Sequence, residues 1–219
     1  MHKGKPILSD SEYLWMMGNV SITDLDADGT AEVIIQRYSG GAHCCTNTVV
    51  YRWHNNTFEK TETGPLDHKG GTFEDLDGDG KIEFVSSDNK FNYAFSSYAG
   101  SYPPTAIFNY KDGELQPTTM KYPKKLREKL EKMYQTFREY QSEGLSANGI
   151  LAGYVAQKIL LGEFEEGWNF MVANQDRTKD KIFAGKRMGK NSDFPTELRS
   201  LLIERGYLDG NGKPTNTSP

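Results

Sequence analysis

The sequence predicts an α+β fold, a repeated antiparallel β unit followed by a helical region. Three observations carry this. Two nine-residue acidic stretches, DLDADGTAE from Asp24 to Glu32 and DLDGDGKIE from Asp75 to Glu83, stand 51 positions apart in a 219-residue chain. Around them lie short runs rich in Val, Ile, Tyr and Phe, punctuated by Gly, Asn and Asp, which is the texture of strands. After KYPKK the apolar residues shift to helical spacing.

Each acidic stretch is entered from a short strand candidate, GNVSI in one case and GGTF in the other. Each is left through a longer one, EVIIQRY or IEFVSS. Further along, VVYRWHNNTFEK matches AIFNYKDGELQP, two strands flanking the turn pair Asn55-Asn56 or Asp112-Gly113. Those residues tolerate the positive φ that tight hairpins demand. The repeat is thus a unit of roughly fifty residues, acidic turn first and hairpin later.

In the second half, Leu126, Leu130, Met133, Tyr134, Phe137 and Tyr140 mark one amphipathic helix. SANGILAGYVAQKILL reads as a second with Ser146 at its cap, and FEEGWNFMV as a third. FPTELRSLLIERG closes the series, with Pro195 in the first turn and Gly206 just past the end. The stretch NQDRTKDKIFAGKRMGKNSD reads as a long loop. The expected organisation is a β domain over residues 1–120, a helical region over 121–208 packing on it, and a disordered tail over 209–219.

The net charge of −4 hides an asymmetry. Residues 1–120 carry 9 Lys+Arg against 17 Asp+Glu, whereas residues 121–208 carry 16 against 12. The acidity is concentrated in the two stretches, which suits a cation site better than a solvating surface. The basic half shows no Arg-rich or aromatic-interleaved pattern, so nucleic acid is not an expected partner. No apolar run is long enough to span a bilayer. The amino terminus, MHKGKPILSD, lacks the apolar stretch of a signal peptide; the expectation is the mature part of an exported protein.

Calcium is a hard cation that takes about six to eight oxygens. A turn with Asp at every second position can aim alternate carboxylates at one centre. Gly after the third Asp permits a sharp reversal, and a backbone carbonyl beyond it adds another oxygen. Asp24, Asp26, Asp28, the Thr30 carbonyl and Glu32 make one such set; Asp75, Asp77, Asp79, the Lys81 carbonyl and Glu83 make the other. The expected cofactor is two Ca²⁺ ions. Magnesium, which demands rigid octahedral geometry and retains waters, fits less well. The alternative is a pair of plain Asp/Gly turns whose carboxylates cap backbone N–H groups.

An EF-hand would place its closing Glu at the twelfth position, where this chain has Ile35 and Ser86, and would have helical flanks. The pattern D-x-D-x-D-G-x-x-E between strands instead resembles the calcium loops of FG-GAP/VCBS-type repeats, as in integrin-like β-propellers. The resemblance covers residues from about 17 to 117. It implies a calcium-binding repeat and not a particular activity. Two repeats cannot close a propeller, which needs at least about four blades.

Cys44 and Cys45 in GGAHCC are adjacent, and the chain has no other cysteine. They admit a vicinal disulfide, which suits an oxidising compartment, or two unpaired thiols. His43 beside them suggests a nucleophile and its base, but adjacency in sequence is not the geometry of such a pair. His2, His54 and His68 form no zinc spacing. Trp53, Trp168 and the aromatic FNYAFSSYAGSYPPTAIFNY suit either a carbohydrate platform or a small core. Asn55 and Asn216 match a common glycosylation pattern.

The functional expectation is a non-enzymatic, calcium-binding extracytoplasmic protein, periplasmic or secreted, with a binding, adhesive or structural role and a protein or carbohydrate partner. The alternative is a hydrolase or redox enzyme that uses His43, Cys44 and Cys45.

Overall fold

The computed structural model describes residues 16–67, 70–177, 182–183, 186–187 and 193–217. The amino-terminal decapeptide, His2, His68, most of the 178–192 stretch and the last two residues of the tail lie outside the described residues. The chain divides into two compact units, 1–86 with 107–116, and 87–106 with 117–219. The boundary expected near residue 120 is therefore not a single cut, because residues 87–106 go with the helices.

The first unit contains two four-stranded antiparallel sheets, each a meander in chain order, except that the strand-end residues Ser87, Thr105, Ala106 and Pro117 fall in the second unit. One runs through β1 (Met16–Thr23), β2 (Glu32–Tyr38), β3 (Cys44–His54) and β4 (Thr57–Asp67). The other runs through β5 (Thr72–Glu74), β6 (Glu83–Ser87), β7 (Thr105–Lys111) and β8 (Glu114–Pro117). The described residues form no closed barrel, so the fold is α+β and not a complete propeller.

The acidic stretches connect β1 to β2 and β5 to β6, leaving from the pairs Thr23–Glu32 and Glu74–Glu83. The hairpins close as their turn residues require. Asn55 and Asn56 have φ of 47° and 62°, and Asp112 and Gly113 have 52° and 81°. Leu25, Ile34, Val50 and Tyr110 form a buried cluster in this unit, with Phe73, Ile82 and Leu115 packed against them. Leu25 and Ile82 come from the acidic stretches themselves, so each loop is pinned by an apolar residue driven out of water.

The second unit contains α1 (Pro123–Ser142), α2 (Asn148–Leu160), α3 (Phe164–Asn174) and α4 (Phe194–Glu204) among its described residues. Leu126, Leu130, Met133 and Phe137 are the buried stripe of α1, at the spacing the sequence predicts. Every residue of α2 is buried, which accounts for a sequence that is apolar apart from Asn148, Gln157 and Lys158. Gln157, fully buried in it, is satisfied by the Thr105 N–H at 2.9 Å, the Thr105 hydroxyl at 3.2 Å and the Leu126 carbonyl at 2.9 Å.

Four details differ from the sequence reading. Ser146 does not cap α2; Ala147 holds that position without a side-chain bond. The neighbouring Asn148 side chain is tied to the backbone of Asp176 instead. Within the stretch expected as a loop, β9 (Ile182–Phe183) and β10 (Lys186–Arg187) pair antiparallel. Phe91 and Phe95 are buried in the helical core rather than in the β unit. The expected tail is tied back by a Leu208–Pro214 bridge, by Asp209 accepting from the N–H groups of Asn211 and Lys213, and by Thr215 N–H on the Tyr207 carbonyl. Tyr207 and Leu208 anchor it because both are buried.

Candidate metal centre

Both acidic loops reverse the chain through left-handed residues: Ala27 and Gly29 in the first, Gly78 and Gly80 in the second. The reversal is held by side-chain to backbone bonds. Asp24 accepts from Asp28 N–H at 3.2 Å and Gly29 N–H at 2.9 Å; Asp75 accepts from Gly78 N–H at 2.7 Å and Gly80 N–H at 3.2 Å. Asp28 and Asp79 accept from the N–H groups of Thr30 and Lys81 at 2.7 and 2.8 Å. Asp77 accepts from Asp79 N–H at 3.3 Å. The closing Glu reaches back across each loop, Glu32 to Leu25 N–H at 2.9 Å and Glu83 to Leu76 N–H at 3.0 Å. Much of the turn-capping alternative is therefore realised.

Backbone capping does not use up the carboxylates. Oxygens of Asp24, Asp26 and Glu32 lie within 4.8 Å of one another, as do those of Asp75, Asp77 and Glu83. Three of the five residues expected in each set thus converge. Asp28 is drawn toward Arg52, its carboxylate 3.5 Å from the guanidinium, and Asp79 toward Lys81 at 4.0 Å. Thr30 and Lys81 sit exposed on their loops.

The first loop is the more desolvated. Glu32 has no exposed surface, and its Oε1 and the Oδ1 of Asp26 are buried without a hydrogen-bond partner. Burial, followed by the nearby Asp28 charge, raises the pKa of Asp26. Burial also raises that of Glu32, against the Leu25 N–H bond and with help from Asp26. Two like charges ~5 Å apart cost on the order of 3 kcal/mol at an effective dielectric of ~20. A partly exposed ion pair such as Arg52–Asp28 returns about 0–1 kcal/mol, so repulsion wins unless a cation or a proton intervenes. An all-oxygen donor set with two orphaned buried oxygens fits a hard cation.

Two contributors were not anticipated from sequence. Arg52 on β3 is one: burial works against its guanidinium, but Asp26 and Asp28 outweigh that and raise its pKa. Tyr110 on β7 is the other; burial and then the Glu32 charge push its hydroxyl up to about 12. In the second loop Asn109 donates to Glu83 Oε1 at 3.2 Å, so both oxygens of that carboxylate are engaged.

Cys44 and Cys45 open β3. Their peptide bond is cis, their sulfur atoms are in bonding contact, and an Asp67 oxygen lies within 4.8 Å of both. Ser39 Oγ donates to the Cys44 carbonyl and accepts from the Cys45 N–H. His43 beside them is exposed. Trp53 is partly exposed and packs edge-on to Phe58, while Trp168 packs in the helical core beside Phe164. No helix among the described residues is long and apolar enough to cross a membrane.

Two family models match the chain, an FG-GAP-like repeat at residues 24–86 and the sll0997 C-terminal domain at residues 126–206. The first begins at the first acidic loop and runs past the end of the second. A probable thylakoid lumen protein of Synechocystis, sll0997, is 32% identical over 226 residues, covering 96% of this chain and 67% of that protein. An uncharacterized protein of Sinorhizobium fredii, y4bJ, is 28% identical over 221 residues, covering 93% of this chain and 35% of its own length. No solved structure matches the chain.

Proposed function

The chain belongs to the family of the probable thylakoid lumen protein sll0997, and on that premise we propose that it is a non-enzymatic, calcium-binding extracytoplasmic protein with a binding or structural role. The extracytoplasmic setting follows the relative's description. Such a compartment also supplies the calcium the loops need and permits Cys44 and Cys45 to be held as a disulfide. In this reading the β unit holds two FG-GAP-type calcium loops, one per sheet, and the ions are structural. Asp24, Asp26, Asp28, the Thr30 carbonyl and Glu32 hold one; Asp75, Asp77, Asp79, the Lys81 carbonyl and Glu83 hold the other.

One observation carries the proposal: Asp26 Oδ1 and Glu32 Oε1 are buried, unpartnered, and part of a carboxylate cluster within 4.8 Å. A folded protein does not ordinarily leave two such oxygens without a donor or cation. Bound calcium neutralises the repulsion and ties β1 to β2 and β5 to β6.

Thermal unfolding in excess EDTA, in millimolar calcium and in millimolar magnesium tests this. A ligand at a hundredfold excess over its dissociation constant stabilises by about 2.7 kcal/mol per site. The expected result is a calcium-specific rise in midpoint that magnesium does not reproduce. Equal midpoints, with no metal retained by elemental analysis, would leave the loops as capped turns.

A further inference from the structure

The two loops face different groups from the same place in their repeats. The hairpin turns Asn55-Asn56 and Asp112-Gly113, all four residues left-handed, align β3 with β7. Three residues before each turn stand Arg52 and Asn109. Each side chain reaches back to the acidic loop of its own sheet: the Arg52 guanidinium to Asp28 at 3.5 Å, and the Asn109 amide to Glu83 Oε1 at 3.2 Å. A full positive charge thus stands, in the first repeat, at the hairpin position that a neutral amide holds in the second; Arg52 meets the fifth residue of its loop and Asn109 the ninth.

We propose that Arg52 is the affinity-setting residue of the first loop, a tethered cation that competes with calcium for Asp28, whereas Asn109 imposes no such competition on the second. The inference rests on the calcium reading above. The first loop holds the carboxylates of Asp24, Asp26, Asp28 and Glu32, and Arg52 cancels one of their four charges. Ligand charge count is a principal control of calcium affinity. Arg52 also stands as a like charge beside an incoming divalent ion, its side chain 15% exposed and that of Asp28 36% exposed. Lys81 is the nearest counterpart at the second loop, but its side chain is 50% exposed and its ammonium is 4.0 Å from Asp79, where solvent screens it. Arg52 makes no hydrogen bond to the orphaned Asp26 Oδ1 or Glu32 Oε1. It therefore lowers the charge of the loop without supplying what its buried oxygens lack.

Moving the charge tests the idea. Calcium is titrated calorimetrically into the metal-stripped full chain carrying Asp77→Asn, which leaves the first loop as the site under study. Arg52→Gln on that background is expected to lower the dissociation constant at least tenfold, with the gain shrinking as salt is raised; Arg52→Lys is expected to keep the original affinity. In the reciprocal arm, on an Asp26→Asn background, Asn109→Arg is expected to weaken the second loop at least tenfold. Melting in EDTA identifies any variant that has lost its fold, and the other arm then decides. Dissociation constants within twofold in both arms would overturn the role of Arg52 while leaving the calcium reading intact. A tenfold gain with Arg52→Lys would also overturn it, because packing rather than charge would then be responsible. Absence of calcium heat in the unsubstituted chain would overturn both readings together.

Discussion

The Ile82 N–H donates to the carbonyl oxygen of Leu25 at 2.9 Å, tying the eighth residue of one acidic loop to the second residue of the other. Both side chains also enter the same apolar cluster. The loops are therefore mechanically joined, although 51 positions separate them in sequence. Ordering either one restrains the other.

Calcium-dependent stabilisation is accordingly expected to be non-additive between the loops. Asp26→Asn and Asp77→Asn should each remove part of the calcium-induced rise, and the double variant should remove all of it. Residues in one connected network typically couple by about 0.5–3 kcal/mol. Denaturant unfolding of the four proteins, with and without calcium, gives the cycle; single losses that sum to the double loss would show the loops to be independent.

Glu32→Gln should change sign with calcium. In EDTA the substitution removes a charge from a site with no exposed surface, where burial already favours the neutral form. The amide keeps an oxygen for Leu25 N–H, so a gain of about 1 kcal/mol is expected. In calcium the same variant loses a ligand and should be the less stable protein. Guanidinium melts in the two conditions decide this, and destabilisation in both would mean the carboxylate is wanted for the fold alone.

Part of the fold is legible in the sequence. Turn pairs such as Asn55-Asn56 announce hairpins because few residues accept positive φ, and the stripe from Leu126 to Phe137 announces a helix by its spacing. Residues 87–106 group with the helices, and the sequence does not show this because aromatic composition says that a segment will be buried, not in which core. Residues 209–217 read as a tail because polarity conceals a turn held by Asp209 and anchored by Tyr207. Arg52 and Tyr110 stand far along the chain from the first loop, so nothing local betrays them. Only the matched hairpins could have drawn attention to position 52, as the counterpart of Asn109.

The helical unit carries its own pH sensitivity. Lys158 Nζ lies 2.6 Å from Glu163 and 2.8 Å from Glu166, and Glu163 also accepts from Arg127 at 2.6 Å. Bonds from Lys158 and then Arg127 lower the Glu163 pKa. A lowered carboxyl contributes stability that is present above its ordinary value and lost as pH falls through the folded one. Burial works against the Lys158 charge, but its two Glu partners outweigh that and raise its pKa. Its contribution is present below the ordinary lysine value and lost as pH rises through the raised one. Stability measured against pH should therefore fall on an acid limb below the ordinary glutamate value, and Glu163→Gln should flatten that limb. An unchanged limb would assign the acid sensitivity elsewhere.

Gly153 marks the tightest approach in the buried helix α2. A Cβ built there would stand 1.7 Å from the Tyr102 carbonyl oxygen and 2.9 Å from its carbon. Neither backbone atom can rotate away as a side chain would, and Met133 closes a third side at 3.3 Å. Gly costs about 1 kcal/mol relative to Ala in a helix interior, so on propensity alone Gly153→Ala would stabilise the protein. The clash should win, because overpacking a closed core costs typically about 1–3 kcal/mol and more where backbone must move. Net destabilisation by urea unfolding is the expected outcome, with calcium dependence unaltered because Gly153 lies in the helical unit. A neutral or stabilising Gly153→Ala would mean that the 100–102 segment does not press on α2 as closely as described.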